Sequence, residues 1–308
     1  MKFGTKVLIV IGAYIGVHHL RAYFHRKPKT TVLVKGKKVG YEIHSHDDPM
    51  VIFVSGALMS GTCMLPIQRK LGKHSISSLS FDRLGTGRSD SIEKIDFLVY
   101  AEHIHQMVKM VDSQSIVLVG HSFGGIGVQY YSQVYGLDPR IKAIILVEPT
   151  PADHLIKIKD FKKKLLNPTI IQYFSILADF GIIRFITDFF YSPFYFQTPY
   201  SFTENNRFFA DITDGYLLRK LVPEARCIGD MFDEASEMIA GWKKVPVKMD
   251  VVVGGGKDNL ASTPEDIRKF FKDTADRLQG DLYADDTKGH VSILYSDLLF
   301  DAILKSCQ

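Results

Sequence analysis

Past residue 29 the chain alternates short apolar runs with longer stretches of helical periodicity. The segment TVLVKGKKVGYEIH, ending at His44, alternates apolar and polar positions and predicts a β-hairpin turning at Gly36. Continuous apolar runs follow: VIFVSG at 51–56, SISSLSFD at 75–82, SIVLVG at 115–120, KAIILVE at 142–148 and KMDVVVGG at 248–255, with a short DLYAD at 281–285 before a last helix. Runs of this kind, rich in β-branched residues and separated by helices, predict a mostly parallel, doubly wound α/β sheet covered on both faces. One region breaks the alternation. Residues 150–243 hold no convincing strand, and 15 of the chain's 36 aromatic residues lie between Phe161 and Phe209. An insertion of that size after the sixth strand is expected to be a helical, aromatic-rich cap. The division expected is therefore a segment at 1–29, a core at 30–149 and 244–308, and a cap at 150–243.

The first segment carries a second apolar signal. Residues 7–20, VLIVIGAYIGVHHL, are flanked by Lys2 and Lys6 before and by Arg21, Arg26, Lys27 and Lys29 after. A spanning helix needs about 20 apolar residues, so the run is short. Snorkelling by Arg21 extends it through Tyr23 and Phe24. No small-residue cleavage site follows. The expectation is a membrane anchor or interfacial helix, with a packed helix as the plain alternative. The excess of positive charge after the run favours a cytoplasmic body.

Composition narrows the function classes. The 308 residues are 46% hydrophobic and 23% charged, a globular balance, and a net charge of +4 without a basic stripe argues against a nucleic-acid partner. Cys63, Cys227 and Cys307 are few and far apart, giving neither a disulfide framework nor zinc spacing. No metal or cofactor is expected. The polar loop His44-Ser45-His46-Asp47-Asp48 reads as a strand end, and Gly120, Gly124, Gly125 and Gly127 do not have the dinucleotide-binding spacing.

The sharpest motif is Gly120-His121-Ser122-Phe123-Gly124, entered from the run SIVLV and followed by helical text. G-x-S-x-G between strand and helix is a nucleophile elbow: a strained turn lifts a serine hydroxyl above the sheet edge, at a helix N-terminus that favours developing negative charge. A serine that merely caps the helix is the plain reading.

With this motif the chain resembles the α/β-hydrolase fold family, in its capped branch with a serine nucleophile, over about residue 30 to the end. Phe81-Asp82-Arg83-Leu84-Gly85-Thr86-Gly87-Arg88-Ser89-Asp90 resembles the family's D-x-x-G-x-G-x-S block. Val54-Ser55-Gly56-Ala57 stands where the family usually writes histidine and glycine, with Ser55 as the departure. The resemblance implies oxyanion donors in the backbone N–H groups of Ala57 and Phe123, and a general base in His290, just past the last short strand. It implies an acid in Asp258, in the turn GGKD after the penultimate strand. Glu148, at the end of the strand before the cap, is the competitor. An epoxide hydrolase or dehalogenase of this fold would carry aspartate at the elbow.

The expected function is thus a serine hydrolase acting on an ester, thioester or amide of a small apolar acyl substrate. Acyl transfer, carbon–carbon bond hydrolysis, perhydrolysis and a non-catalytic membrane-tethered module are the alternatives. The six aromatics of FFYSPFYF at 189–196 are too many for one buried stripe and are expected to line a pocket or face lipid. The lysine run at 157–164 reads as a solvated face or as a contact with an anionic membrane surface.

Overall fold

The computed structural model describes residues 3–26, 30–149, 167–190, 201–255 and 264–308. A long helix, α1 (Phe3–His25), precedes the hairpin β1 (Thr30–Val34) and β2 (Lys37–His44). Lys35 and Gly36 both take positive φ, 51° and 75°, the turn geometry that matches the twist of a tight hairpin. Then come β3 (Asp47–Val54), α2 (Leu65–Gly72), β4 (Ile76–Phe81), α3 (Phe97–Met110), β5 (Ile116–His121), α4 (Phe123–Val134) and β6 (Ile141–Val147). The helices α5 (Pro168–Asp179), α6 (Ile182–Phe190), α7 (Phe202–Thr213), α8 (Gly215–Lys220) and α9 (Val222–Ala240) lie between β6 and β7 (Met249–Gly254). The chain closes with α10 (Pro264–Leu278), β8 (Leu282–Asp285) and α11 (Asp297–Ser306).

The eight strands form one sheet in the order β1-β2-β4-β3-β5-β6-β7-β8. The pairs β1/β2 and β2/β4 are antiparallel, and every other pair is parallel. The apolar runs are continuous because both faces are covered. Ile52, Leu118 and Ile144 pack with Ile104, Met107 and Val128 of α3 and α4, while Val51, Val117 and Ile145 pack with Ile67, Leu71 and Ile303 of α2 and α11. The expected doubly wound, mostly parallel sheet is the one observed. Its C-terminal edge, where β5, β6 and β7 end side by side, is where such sheets gather chemistry.

Helix α1 runs from Phe3 to His25, longer than the apolar run at 7–20 that announced it. Its second half is bound to the helices between β6 and β7, termed the cap below. The carbonyl of Ala178 accepts from His18 Nε2 at 3.0 Å, and the Asp214 carboxylate takes Arg26 Nε and Nη2, each at 2.8 Å. His25 Nε2 meets Asp211 Oδ1 at 2.6 Å, and the other Asp211 oxygen takes the hydroxyls of Ser60 and Thr62 at 2.5 Å. Burial alone would raise the Asp211 carboxyl. The His25 hydrogen bond, the charges of Arg88 and His25 and the Ser60 hydroxyl outweigh it and hold Asp211 at about 2. Among the described residues no single helix is long and apolar enough to cross a membrane; the pair Pro168–Asp179 and Ile182–Asp188, bent by 78°, has the length and composition.

Candidate active site

The site is assembled from the ends of neighbouring parallel strands. Ser122 follows β5 directly and starts α4, with φ 53° and ψ −120°. A non-glycine residue reaches this region only at a cost in strain, which the packing around it must over-determine. The constraint is visible: Ser122 N–H donates to Val147 O of β6 at 2.9 Å, and Gly125 N–H donates to Ser122 O at 3.0 Å. A Cβ on Gly124 would lie 2.3 Å from Val54 O, so only glycine lets α4 start this close to β3.

One strand over, Glu148 follows β6 and also takes positive φ, 44°. Its N–H donates to Val252 O of β7 at 2.8 Å. The turn sends its side chain inward, where it is 2% exposed and its two oxygens divide the work. Oε1 accepts from Gly254 N–H at 2.6 Å, and Oε2 meets His290 Nδ1 at 3.0 Å. His290 lies in the loop after β8, 37% exposed at its side chain. Its carbonyl accepts from His121 Nε2 at 2.9 Å, and the two imidazole rings sit 4.8 Å apart. A carbonyl can only accept, so His121 carries its hydrogen on Nε2 and pins the loop that holds His290. A carboxylate on Nδ1 selects the tautomer with the hydrogen on Nδ1, leaving the Nε2 lone pair of His290 available as a base.

Among the described residues, the carboxylate that meets His290 is Glu148, the competitor in the sequence reading. Asp258, the position favoured there, lies outside the described residues, as do the lysine run at 157–164 and most of FFYSPFYF. A signal for Glu148 was present in the sequence. It directly follows Ile144, Ile145, Leu146 and Val147, a buried apolar run that ends β6, and a carboxylate in such a place requires partners.

The loop after β3 faces the elbow. A Cβ built on Gly56 would lie 3.1 Å from Ser122 Cβ. Of the next three N–H groups, Leu58 N–H donates to Glu224 Oε2 at 2.9 Å and Met59 N–H donates to Gly56 O at 3.3 Å. Ser55, standing where histidine was expected, donates from Oγ to Met59 O at 3.0 Å and accepts from Arg83 Nη1 at 2.8 Å. Arg83 is fully buried. It also donates from Nη1 to Ser55 O and from Nη2 to Gly56 O, each at 2.7 Å, and to Glu224 Oε1 at 3.1 Å. Its guanidinium sits 4.5 Å above the Tyr100 ring, whose hydroxyl donates to Glu224. Glu224, on α9 of the cap, is 1% exposed at its side chain. An acid from the cap and an arginine from the turn after β4 thus fix the shape of the loop beside Ser122. Neither was given a role from the sequence, although Arg83 stands in the D-x-x-G-x-G-x-S block and Glu224 falls in helical register with Ile228, Met231 and Ala235 on the buried face of α9.

Removing one partner of a buried ion pair strands the other. Glu224→Ala is expected to lower unfolding stability in urea by about 3–5 kcal/mol, and Glu224→Gln, which keeps an acceptor, by less. A Glu224→Ala protein within about 0.5 kcal/mol of wild type would show that the pair does not hold the cap on the loop.

Behind Ser122, Phe123 is buried against Phe97 at 5.4 Å and Phe232 of α9 at 5.1 Å, so the ground beneath the elbow is apolar. Burial pushes the thiol of Cys63, in the 3-10 turn Gly61–Met64, up to about 12, well out of range for a nucleophile. A cavity of about 220 Å³ lies elsewhere, lined by Phe24, Glu42, Thr62, Asp82, Arg88 and Arg207 among others, and none of Ser122, Glu148 or His290 borders it.

The family profile for the alpha/beta hydrolase fold matches residues 49–167, which span β3 through β6 and the elbow. The chain has the α/β-hydrolase fold. Solved structures of the same fold cover nearly all of it. The Cif epoxide hydrolase from Acinetobacter nosocomialis superposes with a TM-score of 0.69 at 13% identity, over 96% of this chain and 97% of that one. An epoxide hydrolase from Vigna radiata gives 0.66 at 14% identity, over 90% and 96%. An esterase from Exiguobacterium antarcticum gives 0.57 at 14%, over 90% and 98%. A search of curated protein sequences gives no match. At these identities the α/β-hydrolase neighbours share the fold, while their activities belong to them.

Proposed function

We propose that the protein is a serine hydrolase that cleaves an ester, thioester or amide of an apolar substrate through an acyl-enzyme. The observation that carries this is the hydrogen bond of 3.0 Å from His290 Nδ1 to the buried Glu148, in a chain whose elbow serine is held at φ 53°. In this reading Ser122 Oγ attacks the carbonyl carbon while His290 Nε2 takes its proton. Glu148 holds the ring and stabilises the imidazolium that forms. The tetrahedral oxyanion is met by backbone N–H groups. Leu58 and Met59 have theirs engaged, so the donor from the β3 loop is Ala57, and the second is Phe123 at the start of α4, as the family resemblance implied. Collapse expels the alcohol, thiol or amine, which receives the proton from His290, and water then repeats the cycle on the acyl-serine. No metal or cofactor is needed for these steps. Epoxide opening by a carboxylate nucleophile does not suit a chain with serine at the elbow.

The test is labelling of the full chain with a fluorophosphonate, read by intact mass and peptide mapping, beside turnover of p-nitrophenyl acetate and longer-chain esters. The expected result is one adduct per chain, on Ser122, and faster turnover of medium-chain esters than of acetate. A folded protein with neither adduct nor ester turnover would overturn the proposal.

A further inference from the structure

We infer that α1 and the cap helices α5 and α6 together form a docking surface for an anionic lipid bilayer. Three features of the surface carry this. Thr5, Lys6 and the residues from Ile9 to Ala13 are exposed, so this part of α1 stands clear of the body with Ile9, Val10 and Ile11 in the open. Farther along, Tyr14, His18, Ala22 and His25 turn toward the cap, while Val17, Leu20 and Phe24 stay exposed on the other side. This apolar face is not spent on packing. A helix that is apolar on the side away from its own fold belongs in contact with another apolar medium.

The cap continues the same surface. Tyr14 packs edge-on against Phe185 of α6 at 6.0 Å, and its hydroxyl donates to Gly181 O at 3.4 Å, so α1 lies across the joint between α5 and α6. Around that joint Tyr173, Ile176, Phe180 and Phe185 are each more than half exposed. Natural monomers rarely leave so many large apolar side chains together in water.

Charge selects the occupant. The first 41 residues contain no aspartate or glutamate, and Lys6 and Arg21 are exposed on α1. The carboxylates near the cap part of the surface are engaged within the protein, Asp179 with Arg219 at 2.6 Å and Asp188 with Arg184 at 2.9 Å. What is offered outward is an apolar face whose cations Lys6 and Arg21 have no ion-pair partner among the described residues. A second copy would bring cations against cations, whereas an anionic bilayer supplies both the apolar medium and the opposite charge. Because His18, His25 and Arg26 bind α1 to the cap, docking carries the cap to the interface with it. This surface is independent of the chemistry at Ser122.

The experiment is sedimentation of the full chain with vesicles of phosphatidylcholine alone and of phosphatidylcholine with phosphatidylserine, at low and high salt. It is repeated with a cap variant, Tyr173→Glu with Ile176→Glu, and an α1 variant, Leu20→Glu. Each variant is first shown to melt with the wild type. The expected result is binding to the phosphatidylserine vesicles that weakens with salt, and a loss of at least about tenfold in both variants. If the cap variant binds as tightly as wild type, α1 acts alone and the joint surface is wrong. Equal binding to both vesicles removes the anionic partner. If no vesicle is bound and size-exclusion shows a wild-type dimer that the variants dissociate, the surface belongs to a second copy and the inference falls.

Discussion

Ser122→Ala is expected to abolish fluorophosphonate labelling and to lower ester kcat by about 10³-fold or more, with little change in thermal stability. The size follows from what is removed. Without the hydroxyl no acyl-enzyme forms, and the base and oxyanion donors can only assist a water that nothing positions. The fold should tolerate the change because the strained turn is held by backbone contacts to Val147 and Gly125. The decisive measurement is kcat for p-nitrophenyl esters on protein purified free of host esterases. Retention of more than about a tenth of wild-type turnover would remove Ser122 from the mechanism.

A second experiment separates two carboxylates. Glu148→Gln is expected to cost about 10³–10⁴-fold in kcat. An amide on His290 Nδ1 can present a donor where an acceptor is needed, and the ring then loses the tautomer that leaves Nε2 free. Asp258→Asn should change kcat by less than about threefold. The opposite order would make Asp258 the acid and leave Glu148 as a structural anchor for Gly254. Paired measurements of kcat and melting temperature distinguish the cases, because a merely structural Glu148 would lose stability and turnover together.

The sequence disclosed much of this architecture for identifiable reasons. A strand buried on both faces has little choice but to be a largely apolar run, which made the central strands β3, β5, β6 and β7 legible, while the alternation through His44 marked the half-exposed hairpin of β1 and β2. The elbow was legible because strand, glycines and helix must coincide for it to form. The partner of His290 was harder to read. It depends on how the end of β6 meets the loop after β8, two places 142 residues apart in the chain. Local text marks both as polar ends of apolar strands and does not say which carboxylate reaches the ring. Arg83 and Glu224, 141 residues apart, were hidden in the same way. Arg83 reads only as one position of a glycine-rich block and Glu224 as an ordinary helix charge until α9 meets the β3 loop. The seating of α1 on the body was not legible for a different reason. His18, His25 and Arg26 look like the end of an apolar segment, and their helical continuation is favoured by acceptors that the cap provides.

The seating of α1 also bears on how the protein can be handled. Its apolar text invites trimming before Thr30 to obtain a more tractable fragment. Such a cut would leave the Asp214 carboxylate, 2% exposed, without the two-pronged grip of Arg26, and Asp211 without His25. Because Asp211 also holds Ser60 and Thr62, the disturbance would run from the cap into the turn that follows the β3 loop. The leading helix is thus a structural strut whose loss would be felt beside Ser122, and sluggish turnover by a shortened chain would report a loosened scaffold before it reported anything about substrate.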